Sequence, residues 1–140
     1  VKEYIIGESV KSIGDYACYL LCILDIAEEI TQKKIDKIKA IEAVIKKGYV
    51  TFNKDDMTDS DNFYVRSPGK ILEMFTNKKW EVTKEPAFYQ SKQNEYTVEF
   101  WSIDGKNGHF ARMYKGFNSL QKSNSVNKGK IISYRIFREV

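Results

Sequence analysis

The apolar positions change period half-way along the chain. From Tyr16 to Ile30 the run YACYLLCILDIAEEI is apolar almost all round at its start and gains carboxylates at Asp25, Glu28 and Glu29, the pattern of a central helix with one wet edge. Asp15 stands where a side chain would accept the orphan amides of the first turn, so Cys18 is expected at about the third helical position. Residues 33–48, KKIDKIKAIEAVIKKG, carry Ile35, Ile38, Ile41 and Ile45 at spacings of three and four, with lysines between. They predict a surface amphipathic helix stopped by Gly48. Residues 53–62, NKDDMTDSDN, are polar and acidic. A third helix is then predicted from SPGKILEMF, with Ser67 as cap and Pro68 in the first turn.

Alternation takes over in the second half. EYTVEFWSI (95–103) alternates β-branched and aromatic residues, DGKNG supplies turn chemistry, and HFARMYKGF runs back, which predicts an antiparallel hairpin. After the polar stretch QKSNSVNKGK, IISYRIF (131–137) reads as another strand, and KWEVTKE (79–85) as one more. Helices followed by an antiparallel sheet make an α+β chain. No internal repeat interrupts this layout.

A chain of 140 residues is expected to fold as a single domain over 1–140. With only two prolines and 30% charged residues it is ordered and well solvated. No apolar run approaches the roughly 20 residues of a membrane span, and the opening VKEYIIGESVKSIGD lacks the apolar core of a signal peptide. A cytoplasmic location is the expectation, although Val1 in place of Met is also compatible with a processed N-terminus. Two cysteines four positions apart close no useful loop, which excludes a disulfide framework. A single histidine and no C-x-x-C argue against structural zinc, so no metal and no cofactor are expected. Asp55, Asp56, Asp59 and Asp61 invite a calcium reading, but no register supplies both the sixth-position glycine and the twelfth-position glutamate of an EF-hand loop. A solvated loop is expected there.

Charge is unevenly distributed. Residues 106–140 hold Lys106, Arg112, Lys115, Lys122, Lys128, Lys130, Arg135 and Arg138 against Glu139 alone, a net +7, and the remainder is −3. Phe110, Tyr114, Phe117, Tyr134 and Phe137 interleave with these cations. A stacking surface for single-stranded nucleic acid would have this composition. Strand alternation, with aromatics inward and cations outward, explains it more simply. Trp80 and Trp101 are expected in the core or in a cleft wall.

The chemistry rests on Cys18 and His109. The thiolate is the nucleophile, a free thiol near pKa 8.5 is mostly protonated at neutral pH, and the first turn of a helix lowers that value. A histidine in hydrogen-bond reach completes the activation. His109 lies at the start of a predicted strand, directly after the turn KNG. The plain alternatives stand beside this: a cysteine in an apolar helix is ordinarily a small core residue, as Cys22 is expected to be, and a histidine after a turn is ordinarily a solvated loop residue.

A cysteine heading a central helix and a later histidine opening an antiparallel strand in the pattern Gly108–His109–Phe110 resemble papain-like cysteine peptidases, especially the compact bacteriocin-processing type. Together YACYLLCILDIAEEI, IKKGYV, FYVRSPGKIL, GHF and GKIISYRIF are similar to a small family of uncharacterised proteins of spirochaetes such as Borrelia and of phages or prophages of Firmicutes. The resemblance implies a papain-like fold, N-terminal helices packed on a C-terminal antiparallel sheet, and a thiol hydrolase acting on a peptide or amide. It makes Cys18 the nucleophile, His109 the base and Asn118, in GFNSL, the residue that orients the imidazole. The oxyanion hole would join the Cys18 backbone amide to a side chain about six residues upstream, where papain-like enzymes carry glutamine and this chain carries Ser12. That departure, with asparagine for aspartate at 118, defines the alternative: a catalytically degenerate interaction module of phage or plasmid origin, binding a host protein or nucleic acid through the basic C-terminal face.

Overall fold

A computed structural model of the chain describes residues 17–56, 58–102, 108–112 and 129–140. In order they form helices α1 (Cys18–Thr31), α2 (Lys37–Lys47) and α3 (Pro68–Thr76), then strands β1 (Trp80–Pro86), β2 (Tyr96–Ser102), β3 (Gly108–Arg112) and β4 (Lys130–Glu139). The order is α+β, as the change of period predicts. Two compact units divide the chain, Val1–Asn77 and Lys78–Val140. Among the described residues no helix is long and apolar enough to cross a membrane.

In the first unit α1 is buried on most of its circumference, with Leu20, Ile23, Leu24, Ile26 and Ala27 fully inaccessible. Its start differs from the expectation. Ala17, not Asp15, occupies the N-cap position and offers no side-chain hydrogen bond, so Cys18 is the first helical residue rather than the third. Apolar periodicity locates a helix but not its first residue. At the other end Glu28 ties α1 to α2, accepting the Ile35 amide at 2.7 Å and pairing with the Lys37 ammonium at 2.8 Å. Desolvation pushes this carboxyl upward, but the Ile35 amide and Lys37 together hold it below its ordinary value.

The second helix is shorter than its isoleucine pattern. Asp36 caps it by accepting the Lys39 amide, leaving Ile35 in the connection. A carboxylate cap overrides the apolar spacing because the orphan amides need an acceptor. Ala40, Ile41 and Val44 form the buried stripe, and Gly48 ends the helix at φ 76°, a conformation glycine takes without strain.

A bridge between Val50 and Val65 then pinches off the acidic loop. That loop is exposed along much of its length but locally well tied. Asp56 Oδ1 accepts from the Thr58 amide and hydroxyl, and Asp59 Oδ1 from the Asp61 amide. Asn62, 1% exposed, accepts from the Asn53 amide and donates to the Asp56 carbonyl. Phe63 adopts φ 65°, rare for a bulky residue, and its buried ring lies 5.5 Å from that of Phe52. Burial of the ring offsets the backbone strain. In α3 Pro68 takes the first turn as expected; Ser67 stands at the cap but makes no side-chain cap bond. Ile71 and Leu72 are buried, and α3 packs against α1.

The second unit is a sheet of order β1-β4-β2-β3 with every neighbouring pair antiparallel. The predicted hairpin of β2 and β3 is present, with β4 inserted between β1 and β2. Alternation gives the sheet two unlike faces. Trp80, Val82, Tyr96, Val98, Phe100, Phe110 and Phe137 share one, which is aromatic and also carries Lys84, Arg112, Lys130 and Arg135 against Glu139. The other carries Glu81, Glu85 and Glu99, with Glu95 immediately before β2, against Arg138. The register thus sorts charge by face: cations accumulate with the aromatics, and carboxylates gather opposite.

Candidate functional site

Cys18 is partly exposed at the first position of a 14-residue helix, whereas Cys22, one turn further in, is 6% exposed. Cys22 sits among the buried positions Leu20, Ile23, Leu24 and Ile26 of α1. Both thiols are free of disulfide. His109 is the second residue of β3, partly exposed and directly opposite Trp101 of β2. Cys18 belongs to the first unit and His109 to the second. Ser12 and Asn118 lie outside the described residues.

The pattern Gly108–His109–Phe110 has a packing explanation for two of its three members. A Cβ on Gly108 would stand 2.5 Å from Cε1 of Phe100 and closer still to its Cζ, so the ring occupies the space that only a glycine leaves. Phe110 pairs with the same ring at 4.7 Å between centroids, and the Arg135 guanidinium lies 5.6 and 5.4 Å from the two rings. These contacts are on the aromatic face. His109 points to the other.

On that acidic face His109 has Trp101 opposite and Glu99 on the diagonal, with Ala111 directly across from Glu99. Such diagonal positions lie roughly 7–8 Å apart, within reach of long side chains. Trp101 donates its indole N–H to Glu99 Oε1 at 3.1 Å. Desolvation raises the Glu99 carboxyl above its ordinary value of 4.5, and the indole hydrogen bond only partly opposes it. Tyr134 of β4 stands opposite both Glu99 and Glu85. Sequence reasoning misses Glu99. Its signal is present in EYTVEFWSI, where period-two spacing sets Glu95, Thr97, Glu99 and Trp101 on one side.

Further along the same face, Arg138 is held by partners from three segments. Its Nε donates to Glu95 Oε2 at 2.5 Å, its Nη1 to Thr83 Oγ1 at 2.8 Å and its Nη2 to the Tyr89 hydroxyl oxygen at 3.1 Å, with Glu85 at 3.5 Å. Tyr89 donates to Glu95 in turn, and Lys92 contributes its amide. The Glu95 side chain is 2% exposed. Desolvation pushes that carboxyl upward, yet the Lys92 amide, the Tyr89 hydroxyl and Arg138 together hold it below its ordinary value. Hydrogen bonds to Tyr89 and Glu95 raise the Arg138 guanidinium further above its already high value, so it stays charged. Among the described residues no group of three His, Cys, Asp or Glu side chains is arranged to hold a metal ion.

A family model described as "Protein of unknown function, DUF261" matches residues 7–139 and so runs through both units. The chain belongs to that family. The description carries no activity, and no curated protein and no solved structure matches the chain. What this family member does must therefore be read from its own residues.

Proposed function

We propose that the chain is a thiol hydrolase of the peptidase or amidase class, with a papain-like arrangement of its helices and sheet. The observation that carries this reading is the contrast between its two cysteines. Cys18 is reachable by solvent in the first turn of a long helix, where amide dipoles favour a thiolate, whereas Cys22 is core. In the reaction the Cys18 thiolate attacks the amide carbon and forms a C–S bond while the carbonyl oxygen takes the negative charge. The Cys18 backbone amide and the Ser12 hydroxyl stabilise that oxyanion. His109, as imidazolium, gives its proton to the leaving amine as the C–N bond breaks, with Asn118 orienting the ring. Water then attacks the thioester with His109 as base, releasing the acid and restoring the thiol.

The test is the pH dependence of iodoacetamide alkylation of the folded chain, read by mass spectrometry at Cys18 and Cys22 separately. Rapid labelling of Cys18 with an apparent pKa well below about 8.5, slowed in a His109→Ala variant, supports the hydrolase. Labelling of neither cysteine before unfolding overturns it. On the sheet Arg138 is paired with carboxylates and Arg135 lies over two phenylalanine rings, so the competing polyanion-binding reading would rest on Lys84, Arg112 and Lys130 of the aromatic face.

A further inference from the structure

β1 and β3 stand at the two ends of the sheet order, and β1 is the longer. Among the described residues no strand pairs with its outer side. Its register against β4 is continuous, without a bulge. None of its seven residues is buried: Glu81, Lys84 and Pro86 are exposed and the others half-buried. A regular edge of this kind is a template for a further strand.

The pairing with β4 fixes which main-chain groups of β1 face outward. Val140, opposite Lys79, donates its amide to the Lys79 carbonyl at 2.9 Å. Lys79, Glu81, Thr83 and Glu85 therefore turn their main-chain groups towards β4, and Trp80, Val82 and Lys84 turn theirs away. Pro86 also faces outward but has no N–H to give. The outward ladder thus runs from residue 80 to residue 84 and stops at Pro86.

A second copy meeting this edge about a two-fold axis must also match its charges, and only one register does so. Centred on Glu81, the pairing opposes that carboxylate to itself. Centred on Thr83, it opposes Glu81 to Glu85 and brings Pro86 opposite Trp80; centred on Lys84, it opposes that ammonium to itself. Centred on Val82, it sets Lys79 of each copy opposite Glu85 of the other, Glu81 opposite Thr83 and Lys84 opposite Trp80, with no like charges directly across. Val82 then meets itself at a hydrogen-bonded position, in phase with the outward ladder.

We propose that β1 pairs antiparallel with β1 of a second copy of this chain, about a two-fold axis through Val82. The two sheets become one, and the interface is the same strand used twice. Nothing in this pairing depends on a reaction at Cys18.

The experiment is sedimentation velocity of the full chain over roughly 10 µM to 1 mM, where a concentration-dependent equilibrium between monomer and dimer is expected. Lys79→Glu and Glu85→Lys each place like charges at both copies of that contact and weaken dimerisation about tenfold or more. An equimolar mixture of the two variants restores opposite charges at both contacts and regains the dimer. Lys84→Pro abolishes it, because the N–H it removes faces outward and the ladder to β4 stays whole. That variant also stands in for Glu85→Lys should the latter unfold, since Glu85 lies 3.5 Å from Arg138; circular dichroism verifies each fold. A chain that stays monomeric throughout overturns the proposal and leaves the edge to an extended segment of another protein. A dimer indifferent to both Lys79→Glu and Lys84→Pro overturns it too, as does a mixture of folded variants no more associated than its components.

Discussion

Gly108→Ala tests whether the glycine before His109 is there for packing. The new methyl would sit 2.5 Å from one carbon of the Phe100 ring and closer still to a second, against an ordinary separation of about 3.5–4.0 Å. The ring must therefore retreat by roughly 1 Å or more. It is backed by Phe110, 4.7 Å away between centroids, and by Arg135, so the shift disrupts a three-membered stack. Overpacking of this kind costs about 1–3 kcal/mol, and exchanging glycine for alanine in a strand returns about 0.5–1 kcal/mol. The net loss is about 1 kcal/mol, a fall in Tm of roughly 4–8 °C for a unit of this size. Both tryptophans, Trp80 and Trp101, lie in the second unit, so thermal unfolding followed by tryptophan fluorescence reports on it alone. The control is Phe100→Leu, which deletes the two carbons in conflict. In that background Gly108→Ala is expected to be neutral or slightly stabilising. An unchanged Tm for the single variant, or the same loss in both backgrounds, refutes the reasoning.

Glu99→Gln is expected to stabilise the chain at about pH 7.5 and to leave it unchanged at about pH 4. The native carboxyl is raised above 4.5, so its favourable contribution is complete below the unfolded value and is lost as pH rises through the folded one; denaturant titrations at the two pH values read this directly. Arg138→Met leaves the Glu95 side chain, 2% exposed, without its cation and costs about 2–4 kcal/mol near neutrality, discounted from a fully buried pair because the arginine is partly solvated. Because Glu95 is held below 4.5, the native chain's advantage over this variant is present above that value and shrinks as pH falls through the folded one. Adding Glu95→Gln to Arg138→Met restores most of the loss at neutral pH, as denaturant titration of the two variants would read. Asn62→Ala strands the Asn53 amide and the Asp56 carbonyl, costs about 1–3 kcal/mol, and speeds proteolytic cleavage within residues 53–62. Equal cleavage rates would contradict the hub role of that side chain.

The elements were legible because their periods are long and unmixed: α1 from its all-round apolar start, β2 from strict alternation, α3 from Ser67 and Pro68. Their ends were not, since Asp36 sets the start of α2 by accepting the Lys39 amide, and α1 begins at Cys18 with no side-chain cap at Ala17, neither of which apolar spacing encodes. Cys18 was legible as a residue in a first turn, and Gly108 as part of a motif, but the reason for that glycine is a ring eight positions upstream that reaches it only through the β2–β3 register.

The basic C-terminal segment shows the same limit most sharply. Counted along the chain, Arg135 and Arg138 belong to one cationic block. Strand alternation sends them to opposite faces: Arg135 lies over Phe100 and Phe110, while Arg138 meets Glu81, Glu85 and Glu95 contributed from upstream. Linear charge asymmetry measures a surface field only when neighbouring strands do not supply the counter-charges. Here β1 and the start of β2 supply them to Arg138, whereas Arg135 shares the other face with Lys84, Arg112 and Lys130. The sequence displayed four glutamates and one arginine of the acidic face in plain view, but only the pairing of β4 between β1 and β2 decides which glutamate the arginine serves.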